Sequence, residues 1–177
     1  GIADFFLVHD REILVRCDDS IAMVVGGRPA VVRRSRGYVP GPVDVGRSYP
    51  EVLAVGGHLK STVCILKGSQ AFMSPFIGDL DTPGAREFFS ETIALMKRIT
   101  ECDPSIVACD LHPGYFTTEA ARRMEGVTVR AIQHHYAHIV SCMAENGVTD
   151  TVIGVALDGT GYGMDGTIWG GEWLIAD

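Results

Sequence analysis

The sequence lacks the features of several protein classes. Its five cysteines are scattered, odd in number and form no CxxC pair, so neither a disulfide framework nor a zinc ribbon is predicted. No apolar run approaches the roughly 18 residues of a membrane-spanning helix, and residues 1–12 do not resemble a signal peptide. Lys and Arg number 15 against 22 Asp and Glu, which argues against a nucleic-acid-binding surface. We therefore expect a cytoplasmic protein with reduced thiols, without membrane or nucleic-acid partners.

The overall composition is that of a globular protein. Apolar residues make up 46% and charged residues 21% of the 177 residues, enough to bury a core. Because the chain begins without Met and stops just after a strand-like run, we expect a piece of a longer protein. Residues 40–50 contain three prolines and two glycines with little apolar pattern, which predicts a linker at a domain boundary. Residues 1–39 read as short β segments that belong to an incomplete domain.

The stretch after this linker alternates predicted strands with predicted helices. Strands are predicted at residues 51–57, 61–68, 70–79, 105–111, 127–133, 150–158 and 166–177, and helices at residues 84–101, 117–126 and 134–147. The turn-like "GGHLK" between the first two strands indicates a hairpin, whereas Pro75 restricts the third strand to an edge or an irregular segment. Such alternation is typical of an α/β layered domain.

A histidine cluster, "HHYAH", opens the last predicted helix. His134 and His138 are four residues apart, so they project from one helix face and can reach a single metal ion. They directly follow a predicted strand, and open α/β sheets bind ligands at strand ends. His135 points elsewhere, and no Glu lies between the histidines, so the HExxH arrangement is absent. Spacing alone leaves open whether these are metal ligands or polar residues at a helix start.

A glycine-rich segment, "VALDGTGYGMDG", spans residues 155–166. An apolar strand runs into Asp158 and then into Gly159, Gly161 and Gly163, which lets backbone amides approach phosphate oxygens. Asp158 at the strand end can instead take a metal. Neither a Walker A loop nor a Rossmann fingerprint is present. The alternative is a glycine-rich β-hairpin without a ligand, although an Asp-led glycine turn between strands resembles the phosphate-binding form of actin-like and sugar-kinase-like ATPases.

Four arginines lie between Ser20 and Val43, a stretch without an acidic residue. Their guanidinium groups bind phosphates or carboxylates bidentately, and a neighbouring serine adds a hydroxyl. The alternative is a basic surface strand. Lys60, in the turn "GGHLK" that begins with two glycines, is a further candidate phosphate ligand. The residues that form this candidate basic group are Arg28, Arg33, Arg34, Ser35 and Arg36.

Together these segments resemble the HypF carbamoyltransferases of nickel–iron hydrogenase maturation. Residues 10–40 are similar to the end of a YrdC-like domain. Four further motifs, "LAVGGHLKST", "CDLHPGYFTTEAA", "IQHHYAHIVSCMAE" and "ALDGTGYGMDGTIWGGEWLIAD", resemble successive parts of a TsaD-like domain. The resemblance covers essentially the whole chain, and it departs from the family pattern only at His58 and Thr117.

The resemblance implies a domain division and a fold. Residues 1–39 would be the C-terminal part of the YrdC-like domain, residues 40–50 the linker, and residues 51–177 the N-terminal half of the TsaD-like domain. The latter would be ribonuclease H-like, of the actin-like ATPase type, with a mixed sheet and helices against it.

The resemblance also implies a function and a set of ligands. Such proteins use carbamoyl phosphate and ATP, through carbamoyl-adenylate, to carbamoylate the C-terminal cysteine of HypE for cyanide ligand synthesis. His134, His138 and Asp158 would bind a divalent metal, zinc or iron. The nucleotide would contact Asp158, Gly159, Thr160, Gly161 and Gly163, and the adenylate-forming side would contain Arg33, Arg34, Ser35 and Arg36.

Three alternatives remain open, and each discards part of this scheme. A related TsaD-type O-carbamoyltransferase or a tRNA threonylcarbamoyltransferase would share the metal and glycine motifs. A non-catalytic metal-binding assembly module would need neither nucleotide nor carbamoyl phosphate. In the main reading, this chain alone would be inactive, because most of the adenylation site and the second lobe lie outside it.

Overall fold

The computed structural model describes residues 2–177, and its first part is a small β-hairpin. β1 (Ile21–Val25) and β2 (Arg28–Arg33) pair antiparallel through a two-glycine turn, Gly26–Gly27, with φ of 57° and 77°. Two positive φ angles favour glycine, and this type of turn matches the twist of the strands that it joins. The strands predicted within residues 3–19 are not formed. Their apolar side chains have no sheet to pack against, and Phe5 is 92% exposed.

A four-stranded mixed sheet forms the centre of the molecule. Its order is β4-β3-β5-β6, with an antiparallel β3–β4 pair and parallel β3–β5 and β5–β6 pairs. The strands are β3 (Val43–Ala54), β4 (Cys64–Met73), β5 (Ile106–Asp110) and β6 (Thr128–Ile132). The predicted hairpin, the alternation of elements and the α/β class are confirmed.

Two predicted segments differ from the structure at this sheet. Residues 43–50 of the predicted linker form the first eight of the twelve residues of β3, so the segment is strand rather than irregular chain. The register shifts between Asp44 and Tyr49 absorb its irregular pattern, with Gly46 at φ 79°. The domain boundary itself stays a prediction. The predicted third strand is instead the end of β4, which stops before Pro75 because proline has no N–H for the ladder.

Three helices lie against this sheet. They are α1 (Pro83–Thr100), α2 (Phe116–Arg123) and α3 (His134–Glu145). Thr82 begins α1 by accepting a hydrogen bond from the Ala85 N–H at 3.2 Å, and a proline at the first helical position has no N–H to leave unpaired. Phe89 and Met96 of α1 pack with Leu53 and Ile65 of the sheet in the main core. Among residues 2–177, no helix combines the length and apolarity needed to cross a bilayer.

The C-terminal part consists of two small sheets that pack on α3. β7 (Val152–Ala156) pairs antiparallel with β10 (Glu172–Ala176), and β8 (Gly161–Tyr162) pairs antiparallel with β9 (Ile168–Trp169). Ile139 and Met143 of α3 form a second apolar cluster with Ala176. This packing places the segment after β7 beside the first turn of α3.

Candidate metal centre and glycine-rich loop

Helix α3 begins at His134 and presents both predicted ligands on one face. Gln133 caps the helix, because its Oε1 accepts a hydrogen bond from the Tyr136 N–H at 2.8 Å. The period of 3.6 residues per turn places His138 one turn above His134. Their Nε2 atoms lie 3.2 Å apart, so both imidazoles direct a nitrogen to the same point.

Asp158 completes this group from the end of β7. Its Oδ2 lies 3.0 Å from His134 Nε2 and 3.4 Å from His138 Nε2. The donor atoms of a tetrahedral zinc site with bonds of about 2.0–2.1 Å lie about 3.3 Å apart. The three observed separations therefore fit one face of such a site, and two imidazoles with one carboxylate are a donor set for a divalent ion. The structure thus brings the three predicted ligands together.

Asp110 forms an outer contact to this group that the sequence did not predict. It ends β5, its side chain is 7% exposed, and its Oδ2 lies 2.6 Å from His134 Nδ1. Its Oδ1 accepts the His112 N–H at 2.8 Å, so both carboxylate oxygens are used. A carboxylate accepts but does not donate, so His134 Nδ1 carries the hydrogen and Nε2 is left with a lone pair for a metal. A ligating histidine is usually oriented in this way.

The charges around the site favour an anionic Asp158 and a basic His134. The hydrogen bond to Asp110 raises the pKa of His134 above its ordinary value, and the charge of Asp158 adds to this effect. Partial burial of the ring acts in the opposite direction but is the weaker influence. Burial opposes ionisation of Asp158, but the backbone N–H groups of Gly159 and Thr160 and the two imidazoles together lower the pKa of its carboxyl group. The group therefore attracts cations, either protons or a metal ion.

The glycine-rich segment turns at Asp158 and continues as the β8–β9 hairpin. Gly159 and Thr160 are exposed, and a Cβ on Gly159 would meet open space. Gly161 and Gly163 are buried, because rings of His135 and Trp169 occupy the space that a Cβ would need. The N–H of Gly159 already donates to Asp158 Oδ1 at 2.7 Å, and that of Gly163 to the Thr167 carbonyl at 2.8 Å. Between Asp158 and Gly163, only Gly159 and Thr160 are therefore exposed.

The predicted basic group lies on a different element and makes its own contacts. Arg33 lies 4.2 Å over the Phe76 ring, Arg34 lies over Tyr38, and Arg36 donates to the Cys17 carbonyl at 3.1 Å. Ser35 is fully buried, with its N–H bound to Ser20 Oγ at 2.8 Å.

No hydrogen bond or ion pair of residues 2–177 joins this basic group to the histidine cluster. Lys60 is exposed in the β3–β4 loop, at φ 49°, and its N–H donates to Asp79. The resemblance assigned the arginines to the adenylate-forming side, apart from the metal site, and the nucleotide role of both the arginines and Lys60 stays a prediction.

Two further residues of the site were missed, although the sequence contained a signal for each. Asp110 stands at the end of an apolar strand, as Asp158 does, and the strand-end argument applies equally to both. Gln133 precedes the helix in a capping position, where a side-chain acceptor is expected.

The fold and this site define an α/β domain with a candidate metal centre beside a glycine-rich loop. Residues 47–145 match the family described as HypF Kae1-like domain, and residues 154–177 match a second subdomain described as Carbamoyltransferase, Kae1-like Domain. The chain therefore belongs to the HypF Kae1-like domain family.

Curated relatives and solved structures agree with this assignment. The chain is 48% identical over 184 residues to Carbamoyltransferase HypF2 of Cupriavidus necator and 47% identical over 176 residues to Carbamoyltransferase HypF of Synechocystis sp.. These alignments cover 100% and 98% of the chain but only 23% of each relative.

Two crystal structures show the same fold over nearly the whole chain. Full-length HypF in a phosphate- and nucleotide-bound form matches with a TM-score of 0.93 at 45% identity, over 99% of this chain and 28% of that one. HypF of T. kodakarensis matches with a TM-score of 0.87 at 43% identity, over 98% and 23%. The chain thus spans about a quarter of the length of the relatives that it matches.

Proposed function

We propose that the chain is part of a carbamoyltransferase that acts in nickel–iron hydrogenase maturation. The supporting similarity is continuous, since relatives named carbamoyltransferase HypF align with the chain from end to end. The whole protein would use carbamoyl phosphate and ATP to form carbamoyl-adenylate. The C-terminal cysteine thiolate of HypE would then attack the carbamoyl carbon. The carbon–oxygen bond to the adenylate breaks, AMP leaves with the electron pair, and a thiocarbamate forms.

The observation that carries this proposal is the convergence of His134, His138 and Asp158 next to the exposed start of the glycine-rich loop. A divalent ion bound there, zinc or iron, would act as a Lewis acid toward an oxygen of the bound substrate. The two imidazoles and the carboxylate would hold the ion, and Asp110 fixes the ring of His134. Because the carbamoyl group is already activated as an adenylate, orientation of the two reactants supplies much of the remaining catalysis.

The nucleotide would lie against the loop that starts at Asp158. Gly159 and Thr160 are exposed there, and Gly161 and Gly163 shape the turn by packing on the protein. A related HypF was solved with phosphate and nucleotide bound, and its fold matches this chain closely. Lys60 would approach the same ligand from the β3–β4 loop.

The first part of the chain would belong to the adenylate-forming domain. In this proposal residues 1–39 end a YrdC-like domain, where Arg33, Arg34, Ser35 and Arg36 lie on its nucleotide side, and residues 40–50 contain the boundary. Residues 51–177 would form the first half of a ribonuclease H-like, TsaD-type domain. The mixed sheet with helices against it supports this fold. The chain alone would be inactive. The five free thiols suit a cytoplasmic location.

The decisive experiment compares three versions of the complete protein: wild type, His138→Ala and His9→Ala. His9 is an exposed histidine of the N-terminal segment, so its variant is a matched control. Metal content, calorimetric zinc binding and carbamoylation of HypE, read as the mass increase of its C-terminal peptide, are measured in parallel. We expect His138→Ala to lose metal and transfer, and His9→Ala to keep both.

Two results would contradict the proposal. One is transfer to HypE at the wild-type rate by His138→Ala. The other is failure of the wild-type protein to carbamoylate HypE when carbamoyl phosphate and ATP are supplied.

A further inference from the structure

His135 is the histidine of the cluster that the metal site does not use. Its side chain is fully buried, and its Nε2 has no hydrogen-bond partner within residues 2–177. Its Nδ1 lies 3.0 Å from Gln133 Nε2. A buried polar atom without a partner is costly.

The hydrogen bonds around Gln133 determine how the His135 ring is protonated. Oε1 of Gln133 accepts the Tyr136 N–H, so the amide nitrogen of Gln133 faces His135 Nδ1 and also the Tyr162 carbonyl, at 3.4 Å. An amide nitrogen only donates. His135 Nδ1 is therefore the acceptor, and the hydrogen of the ring lies on Nε2.

The other side of the ring lies against the glycine-rich loop. A Cβ on Gly161 would lie 2.4 Å from His135 Cε1 and 2.8 Å from Nε2, well inside van der Waals contact. Since the ring is fully buried and hydrogen-bonded through Nδ1, it has no space to move away. Residue 161 therefore has to be glycine for the loop to lie on this ring.

We propose that His135, held by Gln133, is a positioning residue that seats the glycine-rich loop on the start of α3 and thereby sets the place of Asp158. Asp158 is three residues before Gly161, and its carboxylate has to reach the Nε2 atoms of both His134 and His138. A loop lifted off the ring would move that carboxylate away from the histidines. The inference rests on the proposed metal site and adds to it a residue that touches neither metal nor substrate.

A double-mutant cycle in the complete protein tests this contact. The versions are wild type, Gly161→Ala, His135→Ala and the double variant, with Gly170→Ala as the control. A Cβ on Gly170 meets nothing within 4 Å. Zinc affinity is measured by competition with a chromophoric chelator, and melting temperature by calorimetry on the metal-free proteins.

The cycle is expected to show strong coupling between the two positions. Gly161→Ala should weaken zinc binding by about tenfold or more, as loss of a support for a metal ligand does. In the His135→Ala background, which removes the clashing ring, Gly161→Ala should weaken zinc binding by less than about threefold. Gly161→Ala should likewise lower the melting temperature more in the wild-type background than in the His135→Ala background. Gly170→Ala should match wild type in both measurements.

The other possible results distinguish failure of the positioning role of His135 from failure of the proposed metal site. If Gly161→Ala binds zinc like wild type, or costs the same in both backgrounds, the positioning role of His135 is wrong. If wild type itself binds no zinc, the proposed metal site is wrong. The melting temperatures of the metal-free proteins then still show whether His135 seats the loop, since uncoupled melting shifts would refute that contact as well.

Discussion

Replacement of Asp110 by Asn tests how the candidate metal centre is built. Asp110 accepts two hydrogen bonds, one from the His112 N–H at 2.8 Å and one from His134 Nδ1 at 2.6 Å. An Asn side chain of the same shape has one acceptor oxygen only. The backbone N–H of His112 cannot change its role, so the oxygen turns to it and the amide nitrogen turns to His134.

This replacement switches the tautomer of the His134 imidazole. An amide nitrogen that faces Nδ1 requires an acceptor there, so the hydrogen of the His134 ring moves to Nε2. Nε2 then has no lone pair for a metal. Loss of such an outer contact typically weakens metal binding about 10- to 100-fold, which corresponds to about 1.4–2.7 kcal/mol. Because the Asp110 side chain is almost fully buried, we expect little solvent screening of this effect.

The assay is competitive zinc titration of the complete protein, with Asp103→Asn as the matched control. Asp103 lies before the opposite end of β5 and pairs with Lys97 on the surface, so its replacement should leave zinc affinity unchanged. Circular dichroism checks that both variants are folded. An Asp110→Asn variant that is folded and binds zinc with wild-type affinity would refute the proposed role of Asp110.

Three further predictions concern the site and the core. Zinc affinity should fall as the pH drops through the pKa of His134, which Asp110 raises, because the protonated ring cannot ligate a metal. The metal-free protein should instead lose the stabilisation from the His134–Asp110 ion pair as the pH rises through the same pKa. An affinity independent of pH between 5 and 8, roughly the range in which histidines titrate, would contradict this. Phe89→Ala should destabilise the domain by about 3–5 kcal/mol, because Phe89 is 1% exposed in the main core; Phe88→Ala, at a half-buried neighbour, should cost clearly less in calorimetry. Alkylation at mildly alkaline pH should label Cys64 far more slowly in the native than in the urea-unfolded protein, since burial raises the pKa of its thiol to about 11; peptide mapping would show equal rates if this were wrong.

The sequence predicted those elements whose signals are local. The signals for the helix at residues 84–101, for the turn between β3 and β4 and for the four-residue spacing of His134 and His138 all come from neighbours within one or two turns. Strand-end reasoning also offered Asp158 as a candidate metal ligand. Prediction from composition failed for residues 3–19 and 43–50, where strand formation depends on whether a partner strand is present.

Which distant residues meet depends on how the strands and helices pack. Asp110 contacts His134 across 24 residues of sequence because β5 and β6 are parallel neighbours, so both strands end at the same edge of the sheet. Gly161 contacts His135 because β7 and β10 pack on α3 and bring the loop to the helix start. The chemical groups of the candidate site and their local spacing could be predicted from the sequence. Their mutual orientation and the tautomers of His134 and His135 follow from packing between elements, which no local pattern encodes.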